Sequence, residues 1–297
     1  RQHLGEDELT LTALNNSGLL FRGQARYEEA EPMLREAFVT RRHTLGDSHP
    51  STILSEASLG WLYVQMEKYD EAEKLLDDAL QEAGDVFGTE HPRTLSYTSL
   101  LAGLYEVTQR QEKALELNRF ILDVRTRTLG GDHPDTLSAL NTLARQLVAM
   151  ERLSQAEPLW VKVLESAERV HGPNHVSTLA AYHGLSGVRR KLGKPAEALE
   201  LSTLAVERTR EYLPKGHWYL GAFLTNHGQV LADLDRNDEA AVALEEAIEI
   251  LQAAFGEDHA RSKRVIRLAS DLGLRNENKA KAEELSTLPV PKDEPPG

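Results

Sequence analysis

A histidine recurs every 42 residues along most of the chain, and this fixed step constrains the fold more than any other feature of the sequence. The step connects His49, His91, His133, His175, His217 and His259. An alanine repeats in the same register, at Ala30, Ala72, Ala114, Ala156, Ala198 and Ala240. A fixed period of about 20 to 50 residues is typical of arrays in which one small structural element repeats. The chain is therefore predicted to be a stack of similar units.

Within one repeat, apolar residues recur every three or four positions, which is the pattern of an amphipathic helix with one buried face. The second repeat shows it at Ala72, Leu75, Leu76, Ala79, Leu80, Ala83, Val86 and Phe87. We predict two antiparallel helices per repeat, near residues 52–66 and 70–86 in the second one. Asp70 with Glu73, and Ser154 with Glu157, have the spacing of capping boxes at the start of the second helix.

A small residue also recurs inside the first helix of each repeat, where we expect a neighbouring backbone to approach closely. It is Gly18, Gly60, Ala102, Ala144, Ser186 and Gly228. One hairpin cannot bury its faces alone, so the repeats must stack. The predicted fold is all-α, a right-handed α-solenoid of antiparallel helix hairpins, with six complete repeats and partial ends.

The period also predicts the boundaries of the array. We expect complete repeats near 10–51, 52–93, 94–135, 136–177, 178–219 and 220–261, with a partial seventh from 262, so that the solenoid spans 10–275. Residues 1–9 resemble the end of an upstream repeat and its turn, and 276–297 are expected to form a short helix remnant and a flexible Pro-rich tail. These ends suggest a fragment of a larger multidomain protein.

The repeat resembles a known family. A small residue inside the first helix, an aromatic three positions later (Phe21, Tyr63, Tyr105) and an alanine early in the second helix are similar to a tetratricopeptide repeat. The 42-residue step with Leu129-Gly130-Gly131-Asp132-His133-Pro134 between repeats resembles the kinesin-light-chain type. The resemblance implies a surface that binds proteins or peptides, because this fold builds a surface and not a reaction centre.

A second resemblance concerns the segment Leu213-Pro214-Lys215-Gly216-His217-Trp218. This break before the last complete repeat is similar to the C-terminal repeat region of bacterial serine/threonine protein kinases. It implies an alternative function, namely a regulatory or substrate-recruiting region of a kinase whose catalytic domain is absent from this sequence.

Composition excludes several classes of protein. The chain has 47 acidic against 34 basic residues, a net charge of -13, which argues against a nucleic-acid-binding surface. It has no cysteine, so disulfides and thiol chemistry are excluded. No apolar run reaches the length of about 20 residues that a membrane helix needs. We expect a soluble, cytoplasmic protein without a membrane or nucleic-acid partner.

Neither a metal site nor catalysis is predicted, and we expect no cofactor. Aligned histidines in successive repeats should lie about 10 Å apart, too far to share one ion. Each is expected instead at the start of a first helix, where Pro50, Pro92 or Pro134 suits the first helical position. Paired carboxylates such as Asp77 and Asp78 have the pattern of a solvated helix face. No hydrolase or phosphate-binding motif occurs, so we expect this chain not to be an enzyme.

The family resemblance implies a peptide-binding groove lined by the first helices of the repeats. Its predicted peptide-binding residues are Asn15, Arg22, Trp61, Gln65, Asn141, Arg145, His183, Arg190, Lys191 and Gln229. With Glu106 and Asp233 at equivalent positions, the groove has a predicted net charge of +2. The hypothesis is an acidic or phosphorylated partner segment with an apolar anchor, in which Trp61 contacts the apolar part and Arg145, Arg190 and Lys191 bind the charges.

Two alternatives stay open at this stage. In the first, Trp61 packs within the stack, like the expected core residue Trp160, and the basic residues pair with acids such as Glu56 or Glu197. In the second, the array self-associates through exposed solenoid ends, because an uncapped end leaves an apolar face open.

Overall fold

The computed structural model describes residues 2–273, with side chains from residue 8 onward. Within that range the chain is all-helical and contains no strand. Its helices are α1 (Gln2–Gly23), α2 (Tyr27–Leu45), α3 (Pro50–Gln65), α4 (Tyr69–Phe87), α5 (Pro92–Val107), α6 (Gln111–Leu129), α7 (Pro134–Ala149), α8 (Leu153–His171), α9 (Val176–Lys191), α10 (Pro195–Tyr212), α11 (Trp218–Asp233), α12 (Asn237–Phe255) and α13 (Ala260–Asp271). The odd-numbered helices are the first helices of their repeats and the even-numbered ones the second.

The chain forms two compact bodies, an N-terminal body that ends at Ala139 and a C-terminal body that begins at Leu140. In the N-terminal body α1 packs on α2, α3 on α4 and α5 on α6. In the C-terminal body α9 packs on α10 and α11 on α12. Within each body, second helices also pack on the next first helix, as α2 does on α3, α4 on α5, α8 on α9, α10 on α11 and α12 on α13. The all-α class and the solenoid of stacked hairpins are confirmed.

The two ends of the array differ in part from the predicted boundaries. Helix α1 begins at Gln2, so residues 2–9 continue the first helix and do not form the turn expected there. Helix α13 runs from Ala260 to Asp271, in the region where a partial seventh repeat was predicted from residue 262. The predicted helix remnant and Pro-rich tail, residues 276–297, lie outside the described residues.

The same turn closes every hairpin that the structure describes. In the second repeat, Glu67 has a φ of 60° and the Lys68 amide donates to the Tyr63 carbonyl at 2.9 Å. This six-residue hydrogen bond is the Schellman motif, which satisfies carbonyls at a helix end. The equivalent left-handed residues are Ala25, Gln109, Glu151, Gly193 and Asp235.

The predicted capping boxes are wrong. Helix α4 is preceded by Lys68 and α8 by Arg152, neither with a side-chain cap, and Asp70 and Ser154 lie inside the first turn. The Schellman turn ends so close to the second helix that no residue remains for a separate cap. The glutamates have another use, because Glu73 binds Arg110 at 2.6 Å and Glu157 binds Lys194 at 3.0 Å.

A third pair joins Glu31 to Lys68 at 3.0 Å, with the same separation of 37 residues. In each of these pairs, the basic residue that ends one Schellman turn binds a glutamate on the second helix of the preceding repeat. We call them repeat-to-repeat pairs.

The repeating histidines begin the first helices. In each case that the structure describes, from His49 to His259, the ring Nδ1 accepts a hydrogen bond from the backbone amide two residues later, at 3.2 Å. Pro50, Pro92 and Pro134 occupy the first helical position, as predicted. The histidine period is therefore a period of helix N-caps, and each ring serves its own helix.

A histidine cap should behave like other side-chain caps. Replacing His49 with alanine leaves the Ser51 amide without its acceptor, and we expect the free energy of unfolding to fall by about 1 kcal/mol. His49→Asn keeps an acceptor and should lose less. Urea unfolding at neutral pH measures the difference, with the exposed His43→Ala as control. Equal losses for His49→Ala and His43→Ala would contradict the capping role.

The alanine and small-residue columns lie at close contacts between packed helices, as predicted. All six alanines of the first column, from Ala30 to Ala240, are fully buried. A Cβ added at Gly18 would lie 2.7 Å from Leu34, and the equivalent distances are 3.0 Å for Gly60 to Leu76 and 2.7 Å for Gly228 to Leu244. A larger side chain at these positions would push the paired helices apart.

Candidate functional site

The first helices of the C-terminal body carry six of the predicted peptide-binding residues, which we call the α7–α11 face. They are Asn141 and Arg145 on α7, His183, Arg190 and Lys191 on α9, and Gln229 on α11. Arg145 is exposed, and the rest range from half-buried to exposed. All six residues thus lie on first helices, as their positions in the repeat predicted.

Two of the three cations on this face bind acids of the same body. The Arg190 Nη1 donates to Asp233 Oδ2 at 3.2 Å, and the Lys191 Nζ donates to Glu151 Oε1 at 2.9 Å. Local pairing, one of the alternatives left open, is thus correct for Arg190 and Lys191. The expected partners are wrong, because Glu197 lies beside Arg189 at 3.4 Å and Glu56 belongs to the N-terminal body.

These ion pairs lie at the surface and can be exchanged. The side chain of Asp233 is 41% exposed and that of Glu151 is 70% exposed. Exposed ion pairs contribute about 0 to 1 kcal/mol, so an incoming carboxylate or phosphate could replace either acid at little cost. Arg145 is exposed and makes no ion pair within the described part of the chain, so it adds a cation that no local acid neutralises.

Beside the cations lie buried acceptors without partners. The Asn141 Oδ1 and the His183 Nδ1 are inaccessible to solvent and have no hydrogen-bond partner among the described residues. The two residues hold the same position in successive repeats, and Asn15 Oδ1 in the first repeat is orphaned in the same way. A buried polar atom without a partner costs about 1 to 3 kcal/mol, and because these atoms are closed to solvent, an outside group could reach them only after neighbouring side chains move.

His183 has the strongest electrostatic signature of the face. Its ring stacks on Phe223 of α11 with centroids 5.0 Å apart. Burial lowers the pKa of His183 to about 4, and the charge of Arg264 adds to the effect. The imidazole is therefore neutral at physiological pH, and the orphaned Nδ1 belongs to an uncharged ring.

The lowered pKa of His183 predicts that the folded protein becomes less stable as the pH falls. An unfolded histidine titrates near pH 6.5, so between about pH 6.5 and pH 4 the unfolded chain binds more protons than the folded one. The contribution of His183 is complete above that range, and we expect it to lose about 2 kcal/mol between pH 7 and pH 5. The measurement is urea unfolding at both pH values, compared with His183→Gln. Parallel losses in the wild type and the variant would contradict it.

The N-terminal body holds the other predicted site residues. Trp61 of α3 packs against the core, and a Cβ added at Gly103 of α5 would lie 2.9 Å from its ring. The indole stays partly exposed, so it contributes both to the stack and to the surface of the first helices. Gln65 at the end of α3 is exposed.

Two residues of α1 are less accessible than the groove hypothesis requires. Asn15 is only 2% exposed, so its side chain is packed inside the body. Arg22 is half-buried, and this burial lowers its pKa. Trp160, expected in the core, is 6% exposed and buried as predicted.

One contributor to the α7–α11 face was missed in the sequence. Glu151 is the left-handed residue of the Schellman turn after α7, so it lies outside the helical positions from which the groove was predicted. The available signal was its position among the turn residues, because a residue in such a turn can contact the end of a neighbouring first helix. These turn residues are Ala25, Glu67, Gln109, Glu151, Gly193 and Asp235.

Neither a metal site nor a membrane-spanning helix is found in the described part of the chain. Within the described residues, no group of three or more His, Asp or Glu side chains is close enough to hold a metal ion. In the same part of the chain, no helix has the length and apolar character needed to cross a bilayer.

Stacked helix hairpins that present one face of their first helices define a class, the helical-repeat scaffolds of protein interactions. The sequence profile of the tetratricopeptide repeat matches residues 9–81, 65–119, 93–159 and 141–211, and a second tetratricopeptide repeat profile matches 222–261. The chain belongs to the tetratricopeptide repeat family. Repeats of this family are generally non-catalytic and bind proteins or peptides.

Solved structures with the same fold include kinesin-light-chain relatives. The chain is 26% identical to a kinesin light chain of Podosopora anserina with nearly identical TPR-like repeats, with a TM-score of 0.61 over 70% of this chain and 98% of that one. BtubC (BKLC) from P. vanneervenii is 21% identical, with a TM-score of 0.63 over 80% of this chain and 93% of that one.

A more distant structure is a Rap protein complexed with Competence and Sporulation Factor. It is 14% identical, with a TM-score of 0.53 over 92% of this chain and 75% of that one. No curated protein matches the chain at a significant level.

Proposed function

We propose that the α7–α11 face binds a segment of a partner protein, and that acidic or phosphorylated side chains of that segment replace Asp233 and Glu151 on the cations. The observation that carries the proposal is the pairing of Arg190 and Lys191 with the exposed acids Asp233 and Glu151, which an incoming anion can replace.

Electrostatics explains why an acidic segment would find this face in an acidic protein. The chain carries a net charge of -13, which repels an acidic partner at long range. Adjacent Arg190 and Lys191 on α9, with Arg145 on α7, supply an attraction on this face, so the contact is salt-sensitive. A phosphate carries more charge and more acceptor oxygens than a carboxylate and should bind more tightly.

The similarity to the Rap protein complexed with Competence and Sporulation Factor supports the use of this fold for binding another molecule. The partly exposed Trp61 supports an apolar anchor in the N-terminal body, where Gln65 lies on the same helix. Each body is thus proposed as a separate binding surface, the N-terminal one apolar and the C-terminal one basic.

Charge reversal tests the proposal. An array of acidic, phosphorylated and neutral peptides first identifies ligands, and fluorescence anisotropy then measures their affinities. For the Arg145→Glu/Arg190→Glu variant we expect about a tenfold or greater loss for acidic ligands and less than about a twofold change for neutral ones. The loss should shrink as salt is added, because screening weakens the attraction in the wild type.

A matched control is Lys162→Glu, an exposed cation on α8 outside the face. It changes the net charge by -2, half the change made by the double variant, and should leave the affinity for acidic ligands within about twofold. Equal losses in the control and the double variant would reject a local basic site. Static light scattering over a range of concentrations separates peptide binding from self-association through the ends.

A second candidate function rests on the connection before α11. Helix α10 ends at Tyr212, Leu213 is extended, and Gly216 has a φ of 77°, so this turn departs from the Leu-Gly turns of the other repeats. Its resemblance to kinase-associated repeats supports a regulatory or substrate-recruiting role beside a serine/threonine kinase domain. The coding sequence upstream of residue 1 tests this, because a kinase domain must be encoded there.

A further inference from the structure

A cleft of about 280 Å³ opens in the N-terminal body between second helices, and none of the predicted peptide-binding residues lines it. Helices α2 and α4 form its two walls, and α3 lies between them. The apolar part of the lining is Phe38 and Val39 from α2, Leu59 from α3 and Leu75 from α4. Val39 is 55% exposed, so the apolar wall is open to solvent.

Glu56 of α3 lies at the bottom of this cleft. The residue is only 6% exposed, yet it lines the cleft and makes no hydrogen bond or ion pair with any residue that the structure describes. A carboxylate in a largely buried side chain is poorly hydrated, so a cation that reaches it through the cleft would be favoured. The cleft therefore contains an unpartnered acid that faces open space.

None of the three cations that line the cleft pairs with Glu56, and two of them are bound to other acids. Arg35 of α2 binds Glu31 at 2.6 Å and also bonds the Tyr63 hydroxyl. Arg42 binds Asp47 at 2.6 Å. Lys74, the remaining cation of the lining, makes no ion pair with Glu56.

The surrounding charge is acidic. Helix α4 has seven acidic residues and one lysine, and Glu71 and Asp78 from this helix line the cleft. Burial raises the pKa of Glu56 to about 7, and the negative charges of Asp78, Asp47 and Glu82 raise it further while Arg42 opposes them. An approaching cation would meet an attractive potential and would favour the ionised form of Glu56.

We propose that this cleft binds a long basic side chain, lysine or arginine, from a partner protein, with its aliphatic stem on Phe38, Leu59 and Leu75 and its charge on Glu56. The amphipathic chemistry of such a side chain matches the two parts of the lining, because its stem is apolar and its head is cationic. The surface differs from the α7–α11 face in both position and charge, so the two would recognise different segments.

The probe is N-acetyl-lysine methylamide, titrated into the full chain and followed by amide NMR, with N-acetyl-norleucine methylamide as the uncharged match. We expect the lysine probe to shift signals from α3 and α4 and to bind about fivefold or more tightly than the norleucine probe. Glu56→Gln, which keeps the shape of the side chain, should abolish that preference. Asp85→Asn, an exposed acid on α4 outside the cleft, should retain it.

The affinity should also depend on pH. Because binding needs ionised Glu56, the competent fraction rises from about one tenth at pH 6 to about nine tenths at pH 8, and the apparent affinity should rise about tenfold. Glu56→Gln should show no such dependence. Equal binding of the two probes, an unchanged preference in Glu56→Gln, or no shift at the solubility limit of the lysine probe would overturn the proposal.

This outcome is independent of the peptide-binding proposal. The probe contains no acid, and the variants lie in the N-terminal body, so a negative result here leaves the charge-reversal test of the α7–α11 face unaffected. Circular dichroism of Glu56→Gln confirms that the fold is retained.

Discussion

Replacing Gly184 with alanine is expected to lower the free energy of unfolding by about 2 to 3 kcal/mol, although alanine is the better helix former. A Cβ at Gly184 would lie 2.4 Å from two carbons of the Trp160 ring. An indole ring is rigid and Trp160 is buried, so the clash can be relieved only by moving α8 away from α9. The strain is set by packing and not by helix propensity.

Gly187→Ala is the matched control, because it lies one turn along the same helix with its nearest neighbour 3.6 Å from the new Cβ. Here we expect a gain of up to about 1 kcal/mol, from the lower entropy of the unfolded chain. Thermal and urea unfolding measure both changes. In Trp160→Leu, Gly184→Ala should cost much less, and an equal cost in both backgrounds would contradict the ring contact.

The second large effect is expected at a buried cation in the N-terminal body. Removing the carboxylate with Glu8→Ala should destabilise the protein by about 2 to 3 kcal/mol. Arg41 is 2% exposed and binds Glu8 at 2.8 Å, with Ser55 and Thr12 as its neutral partners. Without Glu8 its charge stays buried with no anion to balance it.

Comparing the stability losses of two variants distinguishes a buried charge without a counter-charge from the simple loss of a contact. Arg41→Leu removes the buried charge together with its need for a partner, so we expect it to cost about 1 kcal/mol, less than Glu8→Ala. As a control, Glu29→Ala breaks the exposed pair with Arg26 and should leave the urea midpoint unchanged. A larger loss for Arg41→Leu than for Glu8→Ala would contradict the argument.

The fold was predictable because its determinants are periodic. The histidine, alanine and small-residue columns each correspond to one contact, namely an N-cap, a buried helix crossing and a close backbone approach. One exception keeps the same register. Trp160 occupies the position of Leu34, Leu76 and Leu244 in other repeats, and its ring packs against Gly184. The sequence shows this pair because a larger residue and a glycine both differ from the residues at equivalent positions.

The side-chain partners were not predictable, because they depend on turns and neighbouring helices outside the pattern. The capping boxes failed since the Schellman turn ends at a basic residue directly before the second helix. Arg41 occupies a core position that Ala83 and Ala167 fill in other repeats, and only its neighbours explain why a cation is tolerated there. Glu56 was considered as a partner for basic groove residues, but it is buried on α3, which packs on both α2 and α4.

The repeat-to-repeat pairs bear on how the protein comes apart. When a terminal hairpin frays, its basic turn residue leaves and a glutamate one repeat inward loses its counter-charge, as Glu73 would on release of Arg110. Unfolding within a body should then proceed repeat by repeat from an end, because the loss of one pair destabilises the adjacent repeat. Amide exchange should be slowest in a hairpin that forms such pairs with both of its neighbours.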